Sequence, residues 1–221
     1  MKNVTNAEEN YLKAIFKIAE KENKAASTTK LAEVLGTSPA SITDMIKKMS
    51  EKKLVNYTKY YGVTLTSDGS RLATSLIRRH RLWELFLVEK LRFPWHKVHE
   101  IAEELEHIKS DELVSRLDAY LNYPKFDPHG DPIPNAEGKF TIRSQTPLSE
   151  MRKGQKVTLI GLKESDDDFL HFLYSQGIKI GSKITLLEKS DYDNTAKILL
   201  DGREEILLGG HATQNMLVRN E

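Results

Sequence analysis

The stretch Leu35-Gly36-Thr37-Ser38-Pro39-Ala40-Ser41-Ile42-Thr43 joins two apolar-periodic segments through a three-residue connection, Gly36-Thr37-Ser38. Upstream, Ser27 to Leu35 reads as a helix closed by Gly36. Downstream, Pro39 stands at a first helical position, where its missing N–H costs nothing. The helix that it opens carries Ile42, Met45, Ile46 and Met49 at i, i+3, i+4, i+7, the spacing of a buried stripe. Ala40, Asp44 and Lys47 then face outward, flanked by Ser41, Thr43 and Lys48. Two short helices joined by a tight Gly-containing turn read as a helix-turn-helix. The candidate DNA contacts are Ser38, Pro39, Ala40, Ser41, Thr43, Asp44, Lys47 and Lys48. Small residues let backbone approach base edges, Ala40 suits a thymine methyl, and the lysines suit phosphates. A helical hairpin with a solvated face has the same pattern, so the flanking segments decide.

Immediately downstream, Leu54-Val55-Asn56-Tyr57 and Val63-Thr64-Leu65 are β-prone runs bracketing Thr58 to Gly62. The hairpin tip carries Lys59, Tyr60 and Tyr61. A hairpin directly after a helix-turn-helix makes a winged helix, and Lys59 and Tyr60 join the candidate phosphate contacts. Upstream, Thr5-Asn6-Ala7-Glu8 has the form of a capping box and opens a helix to about Glu22. Its apolar stripe is Tyr11, Leu12, Ile15, Phe16, Ile18 and Ala19, with Asn10 in its first turns. Positive charge concentrates here. Residues 1–75 carry 12 Lys/Arg against 8 Asp/Glu, residues 76–143 carry 11 against 12, and residues 144–221 carry 10 against 12. The net charge of +1 argues against a generic polyanion binder, but the excess lies where a nucleic-acid footprint belongs.

Thr66-Ser67-Asp68-Gly69 starts a helix reaching about Leu91, which Phe93-Pro94 breaks; the next helix is expected to run on to about Asn122. The latter contains His99-Glu100-Ile101-Ala102-Glu103-Glu104-Leu105-Glu106-His107. At about 100° per residue, Ile101, Leu105 and Ile108 align, while His99, Glu103, Glu106 and His107 gather on the roughly opposite side. One helix earlier, His80 and Glu84 share a face at i,i+4. Neutral imidazole with carboxylate is a ligand set for borderline to hard divalent metals. A solvated polar face is the competing reading of each group alone; two such groups on consecutive helices favour metal. Trp83, Phe86 and Leu87 are more apolar bulk than two helices of a monomer can bury, which points to a homodimer.

Five of the seven prolines fall between Pro124 and Pro147, a structured-turn linker over residues 124–147. Strands follow at Lys156–Leu162, Lys183–Leu187, Ala196–Leu200 and Glu205–Leu208, with a short helix over Asp167 to Gln176 and a hairpin signal at Asp201-Gly202. This last part reads as a small β-barrel. The fold class is thus mainly α with β. Three domains are expected: a winged-helix domain over 1–75, a helical domain over 76–143 and a barrel over 148–221. With no cysteine, disulfides, thiolate metal sites and cysteine nucleophiles are excluded, and a cytoplasmic protein is expected. No apolar run is long enough to span a bilayer, and the charged N-terminus excludes a secretory signal.

Several stretches together resemble the diphtheria-toxin-repressor family of metal-dependent transcriptional regulators, over essentially the full length. They are Glu9-Asn10-Tyr11-Leu12, Ser38-Pro39-Ala40-Ser41-Ile42-Thr43, Leu65-Thr66-Ser67-Asp68-Gly69 and Arg79-His80-Arg81-Leu82-Trp83-Glu84. Val98-His99-Glu100, Glu106-His107-Ile108-Lys109-Ser110-Asp111-Glu112 and His129-Gly130-Asp131-Pro132-Ile133-Pro134 complete the set. The resemblance implies a winged helix-turn-helix, a helical dimerisation and metal domain and a C-terminal SH3-like barrel. It implies a primary metal site of Asn10, Glu103, Glu106 and His107. A second site would take His80, Glu84 and His99 with a carboxylate from the barrel, Asp166 favoured and Asp168 next. Capping of the helix that begins there is the competing role for these aspartates.

The iron-sensing branch of that family has a thiol where Glu103 stands and a methionine where Asn10 stands. Oxygen donors at both positions favour Mn²⁺, with Fe²⁺ the alternative. The manganese-sensing branch usually has an aspartate at Asn10 and a glutamate at Lys13, so the chain departs from it at these two places. The implied function is a metal-gated homodimeric repressor of metal-uptake genes that binds double-stranded operator DNA, with no membrane and no small-molecule substrate. An enzyme is not expected. Glu104-Leu105-Glu106-His107 is an E-x-x-H motif without a second copy, His99-Glu100-Ile101-Ala102-Glu103 is H-E-x-x-E rather than the zinc-protease motif, and no G-x-S-x-G occurs. A metal-independent winged-helix regulator is the remaining rival.

Overall fold

A computed structural model describes residues 4–220. Helix α1 (Asn6–Glu22) opens on a capping box. The Thr5 hydroxyl accepts from the Glu8 N–H at 3.3 Å, and Glu8 accepts from the Thr5 N–H at 2.9 Å. Ser27 caps α2 (Thr28–Val34), and Ser38 caps α3 (Pro39–Glu51), with Pro39 at its first position. Strands β1 (Val55–Thr58) and β2 (Gly62–Leu65) form the expected hairpin. Val63 also pairs with Ala26, which brings the Ala26 carbonyl so close to Gly62 that a Cβ there would meet it at 2.7 Å. The core below comprises Leu12 and Ile15 of α1, Leu31 of α2 and Ile42, Ile46 and Met49 of α3, all buried.

Helix α4 (Ser67–Glu89) follows, then a 3-10 turn at Trp95–Lys97, α5 (His99–Leu105) and α6 (Asp111–Tyr120). The continuous helix expected from His99 to about Asn122 is therefore two helices. Arg79 Nε donates to the Glu106 carbonyl at 2.5 Å, the acceptor that a continuing helix would present to Ser110. Asp111 and Glu112 then begin α6 with an acidic first turn, which suits a helix N-terminus. The break also takes Ile108 out of the expected apolar stripe: it is 37% exposed, whereas Glu106 is fully buried.

The last part is antiparallel: β3 (Thr146–Pro147), β4 (Lys156–Leu162), β5 (Lys183–Lys189), β6 (Ala196–Leu200), β7 (Glu204–Leu208) and β8 (Met216–Asn220), in the order β3-β8-β4-β5-β6-β7. Helix α7 (Asp167–Ser175) lies between β4 and β5, and α8 (Gly210–Asn215) precedes β8. Bulges at Leu159/Gly161 and Leu186/Glu188 interrupt the ladders. The short last strand, not expected from the sequence, separates β3 from β4 because Met216, Leu217 and Val218 are buried. Trp95 belongs to this sheet's core, with Leu159, Leu173, Ile198 and Leu208.

The chain packs as two compact units. The first takes the residues through His80 together with Leu105–Ser110 and Pro134–Lys139; the second takes Arg81–Glu104, Asp111–Ile133 and Phe140 onward. Among the described residues no helix is long and apolar enough to cross a membrane.

Candidate metal centre

In the first unit, the turn after α5 brings Glu106 and His107 to α1. His107 Nδ1 lies 2.7 Å from Glu9 Oε2, a contact between residues 98 apart in sequence. A carboxylate on Nδ1 fixes the ring and leaves Nε2 turned away from it, the arrangement that suits a metal-binding histidine. That Nε2 lies 4.0 Å from Glu106 Oε1. Glu106 Oε1 is buried with no hydrogen-bond partner, and so is Asn10 Oδ1. Buried polar atoms are nearly always paired, so these two orphaned oxygens, that of Glu106 facing an oriented imidazole, need a partner. An ion with bonds of roughly 2 Å to oxygen and nitrogen suits a gap of this width.

The other oxygen of Glu106 is engaged. Oε2 accepts from Lys13 Nζ at 2.7 Å and lies 2.6 Å from His80 Nδ1. Burial works to raise the Glu106 carboxyl, but His80 and Lys13 outweigh it and hold the group below its ordinary value. Glu106 is thus an ionised carboxylate at neutral pH. Arg79 binds Glu9 Oε1 at 3.1 Å as well as the Glu106 carbonyl, which locks the Glu9–His107 pair. Lys109 adds a bond to the Val4 carbonyl.

In the second unit, His99 stands between two carboxylates: Nδ1 is 3.2 Å from Glu84 Oε1, and Nε2 is 3.5 Å from Glu103 Oε1. Glu84 Oε2 faces His129 Nδ1 at 3.8 Å, and His129 Nε2 lies 2.9 Å from the Trp95 carbonyl oxygen. Glu84, Asp127 and His129 are buried and offer ligand atoms within 4.8 Å of one another. Burial pushes the His129 ring down, but Glu84 and Asp127 bring it up to about 9. Burial, with Asp131 and Glu84, pushes Asp127 up to about 7. Asp166 is the N-cap of α7, accepting from the Phe169 N–H at 3.0 Å, and Asp168 is exposed in the first turn. Among the described residues neither belongs to a group of three or more His, Asp or Glu ligand atoms of this kind.

On the candidate DNA surface, Ser38, Pro39, Ala40, Ser41, Asp44, Lys47 and Lys48 are exposed along α3, and Thr43 is half-buried. The Thr43 hydroxyl donates to the Pro39 carbonyl at 2.9 Å, and Ser38 Oγ accepts from the Ser41 N–H at 3.2 Å. Tyr60 is 92% exposed at the hairpin tip, with Lys59 Nζ 5.1 Å from its ring centre.

Sequence reasoning gave no role to Glu9, Arg79 or His129 within the site. For Glu9 a signal existed: an acidic residue between the cap and an apolar run, flanking Asn10. For Arg79 and His129 the partners lie too far away in sequence for spacing to reveal them.

Residues 3–63 match the family described as iron dependent repressor, N-terminal DNA binding domain, and residues 66–135 match iron dependent repressor, metal binding and dimerisation domain. Residues 146–220 match the FeoA domain. An uncharacterised HTH-type transcriptional regulator of Methanocaldococcus jannaschii is 36% identical over 113 residues, 51% of this chain and 90% of the relative. The diphtheria toxin repressor of Corynebacterium efficiens is 28% identical over 199 residues, 86% of each chain. A solved manganese-dependent transcriptional repressor in complex with manganese superposes with a TM-score of 0.83 at 35% identity, over 96% of this chain and 99% of that one.

Proposed function

The chain belongs to the diphtheria-toxin-repressor family of metal-dependent transcriptional repressors, and we propose that Mn²⁺ is its effector and a homodimer on operator DNA its working form. The observation that carries this reading is the pair of buried, unpartnered oxygens, Asn10 Oδ1 on α1 and Glu106 Oε1, the latter 4.0 Å from the Nε2 of an imidazole whose Nδ1 is already committed to Glu9 on α1. Two oxygen donors and one nitrogen, with no sulfur, suit Mn²⁺ better than soft metals.

Asn10, Glu106 and His107 hold the ion in this reading. When bound, the divalent cation supplies a positive centre that joins these donors. For Glu103, the further donor expected from the sequence, the check is the Mn²⁺ affinity of Glu103→Gln. Asn10 lies on α1, whose Leu12 and Ile15 pack in the same core as Ile42 and Ile46 of α3. Tying the 106–107 turn to α1 therefore restrains the helix that supports the recognition helix. In a dimer the two recognition helices must sit about one DNA turn, roughly 34 Å, apart. Occupancy favours the DNA-competent arrangement by its differential affinity, and by linkage operator DNA tightens metal binding. Lys47, Lys48 and Lys59 meet phosphates, while Ala40 and Ser41 approach base edges.

The test is fluorescence anisotropy on genomic operator fragments with Mn²⁺, Fe²⁺, Zn²⁺ or chelator. Mn²⁺ is expected to raise affinity at least tenfold over chelator in the wild type and not in Glu106→Gln. A larger gain with Fe²⁺ assigns the iron alternative, and equal binding in chelator refutes metal control.

A further inference from the structure

Lys13 carries its ammonium to a buried carboxylate and an imidazole. Its side chain is buried on α1, three residues after Asn10, and an ammonium is rarely buried unless a carboxylate meets it. Nζ donates to Glu106 Oε2 at 2.7 Å and lies 3.4 Å from His80 Nδ1. His80 Nδ1 and Glu106 Oε2 are themselves 2.6 Å apart, the ring N–H donating to the carboxylate. Imidazole nitrogen and carboxylate oxygen so close together form half of a divalent-cation site once the ring gives up its Nδ1 proton, and the lysine head lies against them instead. Glu106 consequently divides its oxygens, with Oε2 given to Lys13 and His80 and Oε1 left without a partner, 4.0 Å from His107 Nε2. An ionised carboxylate has about four lone-pair sites on its two oxygens and can serve two cations at once.

We propose that Lys13 is a specificity-determining residue, a resident cation that fills the place offered by Glu106 Oε2 and His80 Nδ1, so that Glu106 serves one divalent ion and not two. This rests on the reading of Asn10, Glu106 and His107 as metal ligands. Charge supports it. The carboxylates of Glu9 and Glu106 face the cations of Arg79, Lys109 and Lys13, so their negative charge is matched before a metal enters. The ammonium is tethered to α1 and always at hand, whereas an ion must come from solution, and like charges cannot share the cradle.

The experiment measures Mn²⁺ uptake by the full chain, using equilibrium dialysis and electron paramagnetic resonance, for wild type, Lys13→Gln and Lys13→Glu. At least one variant is expected to take up about one more Mn²⁺ per chain than wild type. Its spectrum is expected to be broadened by coupling between two ions that share a carboxylate, against an uncoupled spectrum in wild type. The glutamine variant guards against the glutamate variant failing to fold. Equal stoichiometry and equal spectra in wild type and both variants, with wild type binding Mn²⁺, overturn the role of Lys13 alone. A wild-type chain that takes up no Mn²⁺ overturns the metal reading and this inference together.

Discussion

Replacing Lys13 by methionine keeps the length of the side chain and removes its charge, which leaves Glu106 as a buried carboxylate without its cation. The two side chains are 7% and 1% exposed and 2.7 Å apart. At that separation and an effective dielectric constant of about 20, the direct attraction is about 6 kcal/mol. Deleting the ammonium also removes its own desolvation cost, so the net loss in the metal-free protein is about 3 kcal/mol at neutral pH. For a chain of this size that lowers the melting temperature by about 6–12 °C. The pH dependence follows from Glu106. In the wild type its carboxyl is held below its ordinary value of 4.5, so its contribution is present above that value and lost as pH falls through the folded one. In Lys13→Met burial acts with less opposition, the carboxyl moves up, and acid neutralises it sooner. The difference between variant and wild type therefore shrinks as pH falls. The assay is urea unfolding in chelator at pH 7.5 and pH 5.5. A loss below about 1 kcal/mol at pH 7.5, or a loss that grows on acidification, refutes the assigned pairing.

Three further outcomes follow from other parts of the molecule. His129, brought up to about 9, contributes stability that is complete below its ordinary value of 6.5 and is lost as pH rises through about 9. His129→Gln should thus lower the urea midpoint more at pH 7.5, where Asp127 too is largely ionised beside the ring, than above pH 9. Exchanging both Lys47 and Lys48 for glutamine should weaken binding to all DNA sequences alike and reduce the salt slope by about two per bound protomer, read by anisotropy over a salt series. At Gly69 a Cβ would stand 2.0 Å from the Leu54 carbonyl oxygen, so Gly69→Ala should cost about 1–3 kcal/mol in thermal unfolding.

Reading the residues in order was enough for the elements that short-range chemistry controls. The capping box at Thr5 and Glu8, the Ser38-Pro39 start of α3 and the Ile42/Met45/Ile46/Met49 stripe each act over three or four residues. So do the alternating runs on either side of Gly62. The residue types of the proposed metal centre are all legible in the sequence, where imidazole and carboxylate in one arc point to a divalent cation. Their geometry is not. A helical wheel set Ile108 in the apolar stripe and Glu106 on the opposite face, whereas Ile108 is 37% exposed and Glu106 fully buried, because Arg79 takes the Glu106 carbonyl and ends the helix. Lys13 and Glu106 are 93 residues apart, Glu9 and His107 are 98 apart, and nothing local links the members of either pair.

Periodicity and capping report how a segment minimises its own free energy, and they chose the helices, the hairpin and the ligand chemistry. Which carboxylate oxygen stays open and which is covered by an ammonium depends on charges that meet only once distant segments share one buried space. Only the tertiary structure decided that, since burial is what makes an unpaired charge costly enough to select its partner.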